Sequence, residues 1–114
     1  LSLLTSKLIF PLLLTLIATL GCAGLAIAAE PDAVRQKELV RLVRQDCGSC
    51  HGMTLQGGLG PALLPAELRD KPADGLVATI YYGRPGTPMP PWQQFMTEAE
   101  AEWIVQKLMS GFPN

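Results

Sequence analysis

Histidine is almost absent from this chain: His51 is the only one in 114 residues, and cysteine stops at Cys22, Cys47 and Cys50. A zinc centre built on Cys47 and Cys50 would need two more ligands, while the chain offers no second histidine and only Cys22 as a further cysteine. A basic excess is missing too. Nine Lys and Arg face ten Asp and Glu, and this balance argues against a nucleic-acid partner. No stretch alternates apolar and polar residues long enough to make a strand, and no βαβ pattern surrounds Cys47 and Cys50. That excludes a thioredoxin-like dithiol and leaves an all-α fold as the expectation. No repeat, linker or low-complexity tract divides the chain.

One long apolar run is present, from Leu8 to Leu20, with Lys7 ahead of it and Ala26-Ile27-Ala28 after it. A single positive charge, an apolar stretch and a small-x-small end are the layout of a secretory signal peptide. Pro11, Gly21 and Gly24 interrupt the run, which favours cleavage over retention as a membrane anchor. A lipoprotein reading through Gly21-Cys22 is weaker, because Thr19 stands where a bulky aliphatic residue is usual. The expected division is therefore a leader over residues 1–29 and a single domain over residues 30–114, exported to the periplasm. Cys22 would leave with the leader, so the mature domain would carry only Cys47 and Cys50 and no structural disulfide.

The domain reads as helix, long loop, helix, loop, helix. Asp32 to Asp46 contains no Gly or Pro, and Val40, Val43, Cys47 and Cys50 follow at steps that share one helical face. Gly57-Gly58-Leu59-Gly60-Pro61 marks a loop. A short helix is expected from about Asp74 to Tyr82, with Leu76 and Ile80 on one side and Gly83 as its stop. Four prolines between Arg84 and Pro91 exclude regular structure there. The last helix opens on Thr97-Glu98-Ala99-Glu100, the pattern of a capping box, and its expected buried stripe is Ala101, Ile104, Val105, Leu108 and Phe112.

Cys47-Gly48-Ser49-Cys50-His51 carries the chemistry. Two thiols at this spacing can form thioethers with the two vinyl groups of one haem, and the adjacent imidazole can then bind its iron. A covalently held haem c also supplies the apolar plate that a domain of about 85 residues needs to complete its core. A second histidine ligand is excluded, so methionine is the remaining strong donor for the opposite face of the iron. Met53 lies too close to His51 to reach round, and Met109 sits beside the expected core stripe. Met96, just before the last helix, is the second choice; Met89, in the proline-stiffened loop, is the first.

The helix ending in Cys47-x-x-Cys50-His51, the Gly60-Pro61-x-Leu63 segment, the Gly86-Thr87-Pro88-Met89-Pro90 loop and a closing helix with Trp103 together resemble the small class I cytochromes c. The resemblance runs from about Val34 to Phe112. It implies three or more helices wrapped around one haem, a Pro61 carbonyl accepting a hydrogen bond from the haem histidine, and Leu63 packed on the haem. Arg84 and Trp92 are candidates to reach a propionate. Within that family, the segments Asp46–Leu63 and Gly83–Trp92 are similar to the monohaem cytochromes encoded beside cytochrome cd1 nitrite reductase. The similarity implies a monomeric periplasmic one-electron carrier, not an enzyme, that donates to that reductase or partners d1-haem assembly proteins. Membrane association is expected only if the leader is retained. Should Met89 not bind, the iron would offer an open site to a gas or peroxide, although His51 is already used and no other acid–base group stands out.

Overall fold

The structure, a computed structural model, describes residues 29–114, so the expected leader and Cys22 lie outside the described residues. Among the described residues five α-helices follow one another: α1 Ala33–Leu42, α2 Gly48–His51, α3 Pro65–Leu68, α4 Ala73–Tyr82 and α5 Glu98–Ser110. Among the described residues no strand forms, and no helix is long and apolar enough to cross a membrane.

Asp32 starts α1 by accepting hydrogen bonds from the Val34 and Arg35 amides, both at 2.9 Å. A cap of this kind contributes about 1 kcal/mol. The helical run then continues to His51, but Val43–Cys47 is a π-helical turn between α1 and α2. This turn was not legible in the apolar spacing. Leu39 and Val43 are fully buried while Val40 is only half-buried, so the inner stripe starts one residue earlier than expected.

α4 matches its expected span within one residue and stops at Gly83, whose φ of 70° is open to glycine and strained for other residues. Thr97 caps α5 with the full reciprocal box: Glu100 N donates to Thr97 Oγ1 at 3.2 Å, and Thr97 N donates to Glu100 Oε2 at 2.7 Å. Helix α3 was not expected. Pro65 at its first position suits a helix start, and the turn exists to bury Leu68 against α5.

The core gathers Leu39 and Val43, Leu55 from the long loop, Leu68, Val77 and Met96 around the α5 residues Ala101, Trp103, Ile104, Val105 and Leu108. Each large apolar side chain buried here contributes about 1.5–3 kcal/mol. Phe112 departs from the expected stripe, because α5 ends at Ser110 and Gly111 turns the chain at φ 111°. Phe112 therefore packs only partly, beneath the Arg44 guanidinium 5.4 Å from its ring centre. Arg44 also donates to the Phe112 and Pro113 carbonyls and so ties down the C-terminus. At the other end, Trp103 Nε1 donates to Glu30 at 3.0 Å and anchors the first described residues on α5.

Candidate haem site

The helix that carries Cys47, Cys50 and His51 ends in mid-molecule, and its last carbonyls need partners. The long loop supplies them. Gly57 N donates to the His51 carbonyl and Gly60 N to the Cys50 carbonyl, each at 2.8 Å. The loop reverses direction through Leu55, a non-glycine residue at φ 61°. That backbone costs about 1–3 kcal/mol and is held because the Leu55 side chain is buried in the core. Leu63 N then donates to the Leu55 carbonyl, which closes the loop and sets Leu63 half-buried against the core.

This strap fixes the imidazole. His51 Nδ1 lies 2.6 Å from the Pro61 carbonyl oxygen, which can only accept, so Nδ1 carries a proton and, in the neutral ring, Nε2 is the nitrogen with the lone pair. The relation implied for Pro61 is thus present. Gly60, read in the sequence only as part of a loop and of the Gly60-Pro61-x-Leu63 segment, has a role in the fold: a Cβ there would stand 2.8 Å from His51 Cε1 and Nδ1. The loop backbone rests on the ring face, and only glycine allows it. Gly58 makes a similar approach, since its Cβ would meet the Cys50 carbonyl oxygen at 2.8 Å.

Cys47 is half-buried and Cys50 exposed, and no disulfide joins them. Burial, with the neighbouring Asp46 charge second, pushes the Cys47 thiol up to about 11. Among the described residues no three His, Cys, Asp or Glu side chains converge as a metal cluster. The half-buried Leu63, Leu64, Leu76, Ile80 and Trp92 pack on the core with surface to spare, which suits a large apolar plate. The residues present fit a haem c.

The second loop is built differently. Arg84 N donates to the Met89 carbonyl at 3.1 Å, and Thr87 bonds the Arg84 carbonyl through both its amide and its hydroxyl. Trp92 N and Gln93 N then donate to the Ile80 and Tyr81 carbonyls at the end of α4. Gly83 lies against this loop so closely that a Cβ would stand 2.7 Å from Pro91 N. Met89 is half-buried here. Met96, the second candidate ligand, is instead 5 % exposed inside the core and serves as packing. Met53 is exposed near the helix end, and Met109 packs partly against the core. Arg84 is exposed, and Trp92 is half-buried against Phe95 at 5.6 Å between ring centres. Cys47, Cys50, His51, Pro61 and Leu63 thus share one hydrogen-bonded unit, and Met89 belongs to a second one closed onto α4.

An all-α fold with a thiol pair and a carbonyl-locked imidazole on one helix defines a c-type cytochrome, and known proteins agree. A family model described as cytochrome c oxidase, cbb3-type, subunit III matches residues 34–106. Cytochrome c55X of Pseudomonas aeruginosa is 54 % identical over 99 residues, 86 % of this chain and 83 % of that protein. A solved structure of the c-type cytochrome NirC superposes with a TM-score of 0.71 at 56 % identity, over 72 % of this chain and 96 % of that one. The dihydro-heme d1 dehydrogenase NirN, solved in complex with DHE, matches at 35 % identity and a TM-score of 0.58, over 65 % of this chain but only 16 % of that enzyme. The chain belongs to the small monohaem cytochromes c, electron-transfer proteins that include cytochrome c55X and NirC.

Proposed function

We propose that this chain is an exported, periplasmic one-electron carrier in which Cys47 and Cys50 would hold haem c and His51 and Met89 would bind its iron, and that it donates electrons to cytochrome cd1 nitrite reductase. The observation that carries the reading is the His51 ring, locked through Nδ1 by the Pro61 carbonyl and backed by Gly60, with Nε2 left as donor. A haem bound there supplies a one-electron couple at its iron. The chain's own contribution is rigidity. His51 cannot rotate without breaking its 2.6 Å hydrogen bond, and the Met89 loop is pinned at the end of α4. Two fixed donors keep reorganisation small, as outer-sphere transfer requires. The thiols of Cys47 and Cys50 keep the cofactor from dissociating, so the carrier can dock and leave repeatedly through a small interface of under about 1,200 Å².

A second reading has its own support: the similarity to part of NirN favours a role as redox or binding partner in d1-haem maturation. The two readings separate on deletion of the gene from a denitrifying host. Nitrite reductase with complete d1 haem but slow turnover supports donation; reductase lacking d1 haem supports maturation. The ligand set is tested by the oxidised absorption spectrum. A band near about 695 nm that vanishes in Met89→Ala is expected for Met–Fe(III) ligation, with a fall in reduction potential on the order of 100 mV. A high-spin spectrum with ready carbon monoxide binding would remove Met89 from the site and favour a ligand-binding haem protein.

A further inference from the structure

Arg35 lies on α1, remote in sequence from the Met89 loop, yet its guanidinium spans three elements. Nε donates to Glu100 Oε1 at 2.6 Å and Nη2 to Glu100 Oε2 at 3.2 Å, a two-pronged ion pair between α1 and α5. Nη2 also donates to the Phe95 carbonyl at 2.8 Å, and Nη1 to Glu38 at 3.0 Å. Glu100 Oε2 in turn accepts from Thr97 N at 2.7 Å. Phe95 O and Thr97 N flank Met96, whose side chain is buried in the core. The chain leaving the Met89 loop is therefore held on both sides of one buried residue by the Arg35–Glu100 pair. Upstream, Phe95 N donates to the Trp92 carbonyl and Trp92 N to the Ile80 carbonyl, so the hold is passed back toward Met89 through a single tight turn.

We propose that Arg35 is a positioning residue for Met89: by gripping Glu100 and the Phe95 carbonyl together, it ties the end of the Met89 loop to α1, the start of the helical run that ends at His51, and sets how rarely the methionine lets go. The inference rests on the proposed ligation by Met89. A surface ion pair contributes little, but this one is partly shielded, with the Glu100 side chain 15 % exposed, and it carries a further bond to a backbone carbonyl. Arg44 provides the comparison. It makes a similar guanidinium-to-carbonyl clamp on the C-terminal tail, away from the Met89 loop. If Arg35 merely glues helices together, losing either clamp should have the same kind of effect.

The test uses the holoprotein in four forms: wild type, Arg35→Gln, Arg35→Lys and Arg44→Gln. The rate of cyanide binding to Fe(III) reports methionine release, and far-ultraviolet circular dichroism during heating reports global unfolding. Arg35→Gln is expected to bind cyanide about tenfold faster and to lose the 695 nm band well below the temperature at which the helices melt. Arg35→Lys, which retains charge but not the fork, should fall between. Arg44→Gln should lower the melting temperature and leave cyanide binding within about twofold of wild type. Equal acceleration in Arg35→Gln and Arg44→Gln, or none in Arg35→Gln, overturns the proposal. A wild-type protein that lacks the 695 nm band sinks the Met89 ligation itself, and the positioning role with it.

Discussion

The loop after His51 and the loop around Met89, the proposed second ligand, are held in shape by opposite residues. The loop after His51 is rich in glycine and presses its backbone onto the helix end and the imidazole ring, where Gly58 and Gly60 leave no room for a side chain. The loop around Met89 is rich in proline and keeps its shape by restricting φ, with its outgoing end, Trp92 and Gln93, bonded to the Ile80 and Tyr81 carbonyls. Contact distance governs the first loop, and chain stiffness governs the second. A flat, rigid donor such as imidazole can be wedged from its face. A flexible thioether has no face to wedge, so the chain around it has to be stiffened.

This contrast is sharpest at Gly60. Gly60→Val would drive a side chain into the His51 ring and break the contact of Nδ1 with Pro61. Overpacking and the lost hydrogen bond together should destabilise the domain by about 2–4 kcal/mol, read by denaturant unfolding, with loss of the low-spin spectrum. An unchanged spectrum would show that the ring is not held by its face. Gly83→Ala should act more mildly, because φ 70° and the 2.7 Å approach to Pro91 N strain the end of a loop and not the ring itself. A loss of about 1–3 kcal/mol is expected, with the 695 nm band weakened and covalent haem attachment intact. Loss of haem attachment in this variant would mean that the two loops are not separate units.

The smallest expected effect is electrostatic. Hydrogen bonding to Arg35 holds the Glu100 carboxyl below its ordinary value of 4.5. A depressed carboxyl contributes stability that is complete above the unfolded value and is lost as pH falls through the folded one. Melting temperatures measured on either side of about pH 4 should therefore fall more steeply in wild type than in Glu100→Gln. Parallel curves would show that the pair is idle.

Much of this architecture is local and could be read in advance. The span of α4, the Thr97–Glu100 box, the stop at Gly83 and the helix leading into Cys47–His51 all depend on residues within one or two turns of each other. The misses are equally instructive. Leu68 sits in a four-residue helix too short to show periodicity, and the π-helical turn at Val43–Cys47 leaves apolar spacing almost unchanged. Phe112 continues the α5 stripe in sequence, but Gly111 ends the helix before it.

By itself the sequence pointed to the haem c cofactor of a c-type cytochrome, because two thiols and an imidazole within five consecutive residues, Cys47 to His51, are a matter of local spacing. The tertiary structure alone decided that Met96 is packing and that Gly60 backs the imidazole. It also brought Arg35 to Glu100 and to the Phe95 carbonyl. Those outcomes depend on which distant segments meet when the core closes, and local patterns of charge and hydropathy do not encode such meetings.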